Sequence, residues 1–192
     1  MIAILKYNAG NVQSVQNAIE RLGYKTVVTD DLAILTSADK VIFPGVGEAS
    51  SAMRYLIDKG LDKVIIGLQQ PVLGICLGMQ LLCKSSEEGG VEGLGIFDNE
   101  VKLFPALDIV PHMGWNNFSS LKGPLFKGIQ DADDFYYVHS YYATLSESTI
   151  AVNTYIQPFS AALQKDNFYA VQFHPEKSGK VGELLIKNFL EL

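Results

Sequence analysis

The stretch Pro71–Gln80 constrains the fold of this chain most strongly, because it predicts a buried strand, a sharp turn and a helix around one cysteine. The run Pro71–Ile75 is short and apolar, and the residues after Gly78 (Met-Gln-Leu-Leu-Cys-Lys) have the composition of a helix. Gly74 and Gly78 flank Cys76 in the pattern Gly-x-Cys-x-Gly, the cysteine version of the nucleophile elbow. Cys76 would project from the sheet edge at a helix N-terminus, where the helix dipole favours a thiolate. The stretch alone fits a structural cysteine equally well, since free cysteines are usually small buried hydrophobes.

The first half of the chain alternates predicted strands with predicted helices. The strands are Met1–Tyr7, Tyr24–Val28, Lys40–Pro44 and the strand of the elbow, and the helices span 12–22, 48–60 and 61–70. Asn11 is the predicted N-cap of the first helix. The alternation is typical of a parallel sheet with helices on both faces, so we expect a three-layer α/β fold. Ligands of such folds bind at the carboxyl ends of the strands.

The second half, after Gly89-Gly90, has short apolar runs separated by turn residues, which predict an antiparallel β region appended to the parallel core. A hairpin is predicted with its turn at Asp166-Asn167, and a final helix spans 179–192. The runs are Lys102–Phe104, Asn116–Phe118, Phe135–His139 and Tyr141–Ala143, and the hairpin strands span 160–164 and 169–173. No repeat or linker divides the chain, so we expect residues 1–192 to form a single domain.

Composition excludes several classes of function. The net charge is −6 and no basic block is present, which argues against nucleic acid as a partner. No apolar run is long enough to span a membrane, and Met1–Leu5 lacks the features of a signal peptide. The two cysteines, Cys76 and Cys83, have neither a disulfide pattern nor a metal-ligand spacing, so we expect no metal and a reducing cytoplasm.

The second feature with chemical meaning is Gln172-Phe-His-Pro-Glu176. Pro175 favours an extended conformation for His174, which would place the side chains of His174 and Glu176 on one face. A carboxylate there can accept the imidazole N–H and leave the other ring nitrogen free to take a thiol proton. By itself the segment could be a surface turn. Together with the Cys76 elbow, it predicts a Cys-His-Glu triad.

Acyl transfer by a thiolate also needs donors for an oxyanion. The backbone N–H of Leu77 is one candidate, and the segment Gly45-Val46-Gly47 is the other, because its glycines let a peptide turn at little steric cost. The alternative for Gly45-Val46-Gly47 is a simple turn after a strand. The remaining histidines, His112 and His139, are expected to have structural or supporting roles.

These motifs resemble those of the class I (triad) glutamine amidotransferases, and the resemblance runs nearly end to end. It rests on Pro44–Gly47, Gly74–Gln80 and His174–Glu176. Three further segments narrow the resemblance to the glutaminase subunits of imidazole glycerol phosphate synthase in histidine biosynthesis. They are His112–Asn116, Val138–Tyr141 and Glu176–Ser178. One departure is Lys6-Tyr-Asn-Ala-Gly-Asn11, where the family usually has Asp-Tyr-Gly-x-Gly-Asn. That turn faces the partner in the family, so the difference bears on the interface and not on the triad.

The resemblance implies that Cys76 attacks the side-chain amide of L-glutamine, with His174 as base and then acid and Glu176 orienting it. It assigns the oxyanion hole to Val46, Gly47 and Leu77. Glutamine binding is assigned to Gly45, Gln80, Glu88, Ser140 and Tyr141, and contact with the partner to Asn11, Trp115, Tyr136 and Lys177. The implied partner is a (β/α)8-barrel cyclase subunit that receives the ammonia in a heterodimer. No cofactor is implied.

Three other functions remain open from the sequence. The chain could be a glutaminase that feeds another synthase, such as the pyridoxal phosphate synthase, although that leaves His112–Asn116 without an explanation. It could be a cysteine peptidase or a redox-sensing chaperone that acts without a partner. It could also be a binding module in which Cys76 is inert. Release of glutamate from glutamine, with and without a barrel partner, separates these alternatives.

Overall fold

The computed structural model of the chain describes residues 1–8 and 10–192. Six α-helices are present in these residues: α1 (Val12–Arg21), α2 (Leu32–Ser37), α3 (Ala49–Asp58), α4 (Leu61–Ile66), α5 (Leu77–Leu82) and α6 (Gly179–Leu190). Single 3-10 turns lie at Glu88–Gly90, Pro124–Phe126 and Pro175–Lys177. The strands before α5 are β1 (Ile2–Leu5), β2 (Thr26–Thr29), β3 (Lys40–Phe43) and β4 (Val72–Ile75).

Ten further strands follow α5, which confirms the β region predicted for the second half of the chain. They are β5 (Cys83–Ser86), β6 (Val91–Glu92), β7 (Phe97–Leu103), β8 (His112–Asn116), β9 (Ser120–Leu121), β10 (Phe135–His139), β11 (Tyr141–Ala143), β12 (Thr149–Thr154), β13 (Pro158–Lys165) and β14 (Phe168–Val171).

The main sheet runs β2-β1-β3-β4-β14-β13-β11-β7-β5-β6, with β12 and β9 joined through β13. The pairs from β2 to β14 are all parallel, so the carboxyl ends of β3, β4 and β14 lie at one edge of the sheet. Beyond β14 the neighbouring pairs are antiparallel, except β5 with β7. The site residues that follow β3, β4 and β14 are thereby brought together.

Helices cover both faces of this sheet, as the three-layer prediction requires. Along β1, Ile2 and Ile4 pack in one apolar cluster with residues of α1 and α6, whereas Ala3 and Leu5 pack in a second with residues of α2 to α5. Successive side chains of a strand point to opposite faces, which is why one strand contributes to both clusters. The mostly parallel α/β architecture is therefore confirmed.

The predicted hairpin is present, with Asp166-Asn167 between β13 and β14 and Asp166 in the left-handed region at φ 52°. Its second strand is more central than an appended region implies, because β14 also pairs in parallel with β4 over Phe168–Val171. β8 and β10 instead form a separate antiparallel pair, with Tyr136 opposite Trp115.

Three details of the sequence prediction are wrong. Asn11 is not a side-chain N-cap of α1: it has φ 72° and makes no capping hydrogen bond. Cys83 does not continue the elbow helix, because α5 ends at Leu82 and Cys83 begins β5. The short helix α2 was not anticipated, although Asp31 caps it by accepting from the N–H groups of Ala33 and Ile34.

Among the described residues, no helix is long and apolar enough to span a lipid bilayer.

Candidate active site

Cys76 lies in a tight turn between β4 and α5, as the elbow pattern predicts. Its φ is 53°, and its N–H donates to the carbonyl oxygen of Val171 on β14 at 2.8 Å. A Cβ on Gly78 would lie 1.8 Å from the carbonyl oxygen of Phe43, so only glycine permits this approach of α5 to β3. Although Cys76 lies at the sheet edge as predicted, it is only 7% exposed and belongs to an apolar cluster.

His174 and Glu176 form a buried ion pair. The distance from His174 Nδ1 to Glu176 Oε1 is 2.8 Å, and the two side chains are 1% and 0% exposed. The backbone between the two residues is not the continuous extended segment that was predicted. It is extended at His174 but enters a 3-10 turn at Pro175. This turn, rather than a continuous strand, aims the carboxylate back at the imidazole.

Backbone and hydroxyl contacts hold His174 in place. Its N–H donates to the carbonyl oxygen of Tyr136 at 2.9 Å. The hydroxyl of Ser178 donates to the carbonyl oxygen of His174 at 2.7 Å and accepts from the N–H of Tyr136 at 3.0 Å. The backbone N–H and the carbonyl oxygen of His174 are therefore both linked to Tyr136 on β10, the carbonyl through the Ser178 hydroxyl.

Asn11 has a contact that the sequence did not indicate. Its side-chain amide donates to Glu176 Oε1, the same oxygen that accepts from His174. The left-handed backbone of Asn11, which prevents it from capping α1, is the conformation in which its side chain makes this contact. Asn11 therefore contacts the triad directly, in addition to its predicted place near a partner.

The charge of His174 follows from its neighbours. Burial lowers its pKa, but the hydrogen bond and charge of Cys76, together with the Glu176 carboxylate, raise the pKa to about 10. Its Nε2 is buried and has no oxygen or nitrogen partner among the described residues. His174 is therefore an imidazolium at pH 7, and a positive charge beside a cysteine favours a nucleophilic thiolate.

A cavity of about 320 Å³ opens beside the cysteine. It brings together most of the residues predicted to bind glutamine or an oxyanion: its lining consists of Val46, Gly47, Cys76, Leu77, Gln80, Glu88, Pro111, Val138, His139, Ser140 and Tyr141. Gly45 is buried behind this lining. Asn11, Trp115, Tyr136 and Lys177, the predicted interface residues, lie outside it.

The two predicted oxyanion elements contact each other. The N–H of Leu77 donates to the carbonyl oxygen of Gly45 at 3.3 Å, and the carbonyl oxygen of Val46 accepts from the N–H of Gly10 at 3.3 Å. The Gly45 carbonyl and the Val46 N–H belong to one peptide plane, so they point in opposite directions. In this conformation a carbonyl oxygen, and not an N–H, occupies the position next to Leu77.

Gln80 and Glu88 present oriented polar groups. The amide nitrogen of Gln80 donates both to the carbonyl oxygen of Tyr141 and to Gln172 Oε1, each at 3.0 Å. Glu88 Oε2 accepts from the N–H of Ala49 at 2.8 Å. Burial and the charge of Glu48 raise the pKa of Glu88 against the opposing effect of that hydrogen bond.

His112 and His139 have the supporting role expected of them. His139 Nδ1 contacts the carbonyl oxygen of Tyr141 at 2.7 Å, so Nδ1 carries the proton there. His112 Nδ1 lies 3.1 Å from His139 Nε2 and must then be a donor. Burial lowers the pKa of His112 to about 4 and that of His139 to about 3, so both rings are neutral at pH 7.

Three of the four predicted interface residues, Trp115, Tyr136 and Lys177, lie close together outside the cavity. The rings of Trp115 and Tyr136 are 5.9 Å apart, and Lys177 Nζ lies 5.9 Å from the centre of the Tyr136 ring. Trp115 is 57% exposed and Met113 beside it is 63% exposed. This aromatic surface borders the turn that carries His174 and Glu176.

The sequence reasoning missed several residues of the site. Gln172 Nε2 lies 3.7 Å from Cys76 Sγ, and the hydroxyl of Tyr7 donates to the carbonyl oxygen of Pro44 at 2.6 Å. Pro111 and Val138 complete the cavity. The available signal was the position of Gln172 near the end of the predicted strand 169–173, two residues before His174. In the described part of the chain, no group of three His, Cys, Asp or Glu residues could hold a metal ion.

Comparison with known proteins agrees with this geometry. Residues 3–192 match the family Glutamine amidotransferase class-I. A solved structure of a glutamine amidotransferase superposes with a TM-score of 0.73 at 19% identity, covering 99% of this chain and 97% of that one. Another from Thermotoga maritima gives 0.65 at 16% identity, covering 99% and 82%. These two likenesses concern the fold alone.

Curated relatives give a finer comparison. Imidazole glycerol phosphate synthase subunit HisH of Bacteroides fragilis (strain YCH46) is 60% identical, and that of Bacteroides thetaiotaomicron is 56% identical. Each alignment covers 100% of this chain and 99% of the relative. The chain therefore belongs to the class I glutamine amidotransferases, which are enzymes. Within that class it belongs to the HisH subunits of imidazole glycerol phosphate synthase.

Proposed function

We propose that this chain hydrolyses L-glutamine to glutamate and ammonia with Cys76, His174 and Glu176. The Cys76 thiolate attacks the side-chain amide carbon, and His174 gives its proton to the departing nitrogen, which leaves as ammonia. Water, deprotonated by His174, then hydrolyses the glutamyl thioester and returns the thiolate. The single observation that carries this proposal is the buried 2.8 Å contact of His174 with Glu176 beside the cysteine of the elbow.

Substrate binding is assigned to the cavity. Glu88 provides a carboxylate for the α-ammonium group of glutamine, and the backbone at Ser140 and Tyr141 borders the same space. Gln80 has both amide hydrogens engaged, so its oxygen is the atom left to accept from the substrate. Gly45, the remaining residue assigned to glutamine binding, is buried beside Leu77 and does not line this cavity.

The oxyanion hole is proposed to form by rotation of one peptide. Turning the Gly45–Val46 peptide by about half a turn would remove the Gly45 carbonyl from Leu77 and direct the Val46 N–H to the same position. This rotation changes the ψ angle of Gly45 and the φ angle of Val46, and Gly45 tolerates the new ψ because it has no Cβ. Two N–H groups, of Val46 and Leu77, would then face the tetrahedral oxyanion.

The ammonia is proposed to pass to a (β/α)8-barrel cyclase subunit, which forms imidazole glycerol phosphate and aminoimidazole carboxamide ribotide. The names of the relatives support this, since they describe a subunit of imidazole glycerol phosphate synthase. Trp115, Tyr136, Lys177 and Asn11 are the proposed contact residues. The exposure of Trp115 and Met113 supports a partner on this surface, since large exposed apolar groups mark interaction sites.

Paired cysteine variants test the nucleophile. Cys76→Ala should abolish glutamate release while ammonia-dependent synthesis by the complex persists, because only the thioester step needs the sulfur. Cys83→Ala is the matched control: Cys83 is also buried, and burial raises the pKa of its thiol, which donates only to the carbonyl oxygen of Met79. A diazo-ketone analogue of glutamine should label Cys76 alone. Glutamine hydrolysis by Cys76→Ala at the wild-type rate would refute the assignment.

A further inference from the structure

We propose that Gln172 is a further catalytic residue, whose side-chain amide donates a hydrogen bond to the Cys76 sulfur and stabilises the thiolate. This proposal rests on the nucleophilic role of Cys76 proposed above. Gln172 is 0% exposed and follows β14 directly. Its Nε2 lies 3.7 Å from Sγ, which is within hydrogen-bonding distance for sulfur.

The orientation of the Gln172 amide follows from its neighbours. The Tyr141 carbonyl can only accept, so the Gln80 atom that contacts it at 3.0 Å is the amide nitrogen. That same nitrogen contacts Gln172 at 3.0 Å and therefore requires an oxygen there. The other end of the Gln172 amide, which faces Cys76, must then be the NH₂ group.

The surroundings of Cys76 give this donor its importance. The Val138 carbonyl oxygen lies 4.0 Å from Sγ and can accept a hydrogen bond from a thiol, but it offers no donor to a thiolate. The nearby titratable groups are His174, Tyr7, His139 and Glu88. His174 is the one cation of this group, and Gln172 adds a neutral donor that keeps its hydrogen at every pH. The Gln80 contact further polarises that donor.

Two variants test the role of Gln172 in the full chain. Gln172→Leu removes the donor, and Gln172→Glu keeps the size but replaces the donor with an acceptor. The rate of iodoacetamide alkylation of Cys76 is measured by mass spectrometry across pH 5 to 10. The pH of half-maximal rate should rise by about one unit in Gln172→Leu, which is a tenfold loss of thiolate, and further in Gln172→Glu. Gln164→Leu, on β13 opposite Tyr169 of β14, is the control and should leave the profile unchanged.

Kinetics of the complex with the cyclase separate this role from a structural one. Loss of the thiolate donor should lower kcat for glutamine about tenfold with little change in KM, whereas a role in holding Gln80 alone would raise KM. Unchanged alkylation profiles in both Gln172 variants would overturn the proposal. If Gln172→Leu does not fold, the profile of Gln172→Glu decides. A wrong assignment of the triad would be recognised separately, because the Cys76→Ala variant would then still hydrolyse glutamine.

Discussion

At the scale of single residues, the three histidines of the chain lie in the interior, and their surroundings give them different charges. His174 has a cysteine and a carboxylate beside it, and these raise its pKa to about 10 against the effect of burial. His112 and His139 have only neutral hydrogen-bond partners among the described residues, such as carbonyl oxygens and Asn116, so burial lowers their pKa values, and the charge of His174 lowers that of His139 further. The same residue type is therefore charged at one position and a neutral hydrogen-bond link at the two others.

The pH dependence of stability should follow from these shifts. His112 and His139 titrate near 6.5 when unfolded and at about 4 and 3 when folded, so the free energy of unfolding should fall as the pH drops from 6.5 towards 4. His174, with its raised pKa, contributes stability that is lost as the pH rises towards 10. Urea unfolding between pH 4.5 and 9 measures both trends.

NMR titration of the ring signals resolves the three sites directly, since the chain has three histidines. At pH 7 one ring should be an imidazolium and two should be neutral. Cys76→Ala should lower the titration midpoint of the charged ring, because the neighbouring thiolate is removed. A titration of His112 or His139 near pH 6.5 would contradict the account.

At the scale of elements, the site depends on close packing of α5 against β3. A Cβ at Gly78 would meet the backbone oxygen of Phe43 at 1.8 Å, and backbone atoms cannot move aside as a side-chain end can. Gly78→Ala should therefore lower the free energy of unfolding by several kcal/mol, about 1–3 or more as in overpacked cores. Gly67→Ala is the control, since its Cβ would come no closer than 3.4 Å to its neighbours. Equal unfolding midpoints for the two variants would show that the elbow tolerates a side chain.

The sequence predicted the elements whose signals are local. The two glycines around Cys76, the strand–helix alternation and the Asp166-Asn167 turn each specify a nearby backbone geometry, and each is present. Cys83 was misassigned because an apolar run fits either a helix or a strand, and here pairing with β6 and β7 decides. The contacts of Gln172 with Cys76 and of Asn11 with Glu176 join residues 96 and 165 positions apart. No local pattern encodes such contacts.

At the scale of the whole molecule, the exposed aromatic surface is joined to the triad through the backbone. Tyr136 packs against Trp115 and Lys177 on the outside and bonds the backbone of His174 on the inside. A partner seated on this surface would therefore contact elements that hold the catalytic groups.

Trp115→Ala should weaken binding of the cyclase subunit about tenfold or more, because large aromatic side chains dominate interface energies. The isolated variant should keep its unfolding midpoint, since the ring is 57% exposed and buries little in the free chain. Titration calorimetry with the purified cyclase measures the affinity. Leu145→Ala, at an exposed apolar residue on the loop after β11, is the control and should bind as the wild type does.

The glutaminase rate in three states of assembly tests the central claim most directly: that this chain is a glutaminase whose oxyanion hole forms when the partner is engaged. Glutamate release is measured for the free chain, for the complex with the cyclase, and for the complex with its ribotide ligand. The Gly45 carbonyl next to Leu77 predicts a slow free chain, because one oxyanion donor is typically worth 10²–10³-fold in rate. The rate should therefore rise by about that factor on assembly and ligand binding. Equal rates in all three states would show a preformed hole and an enzyme that works alone.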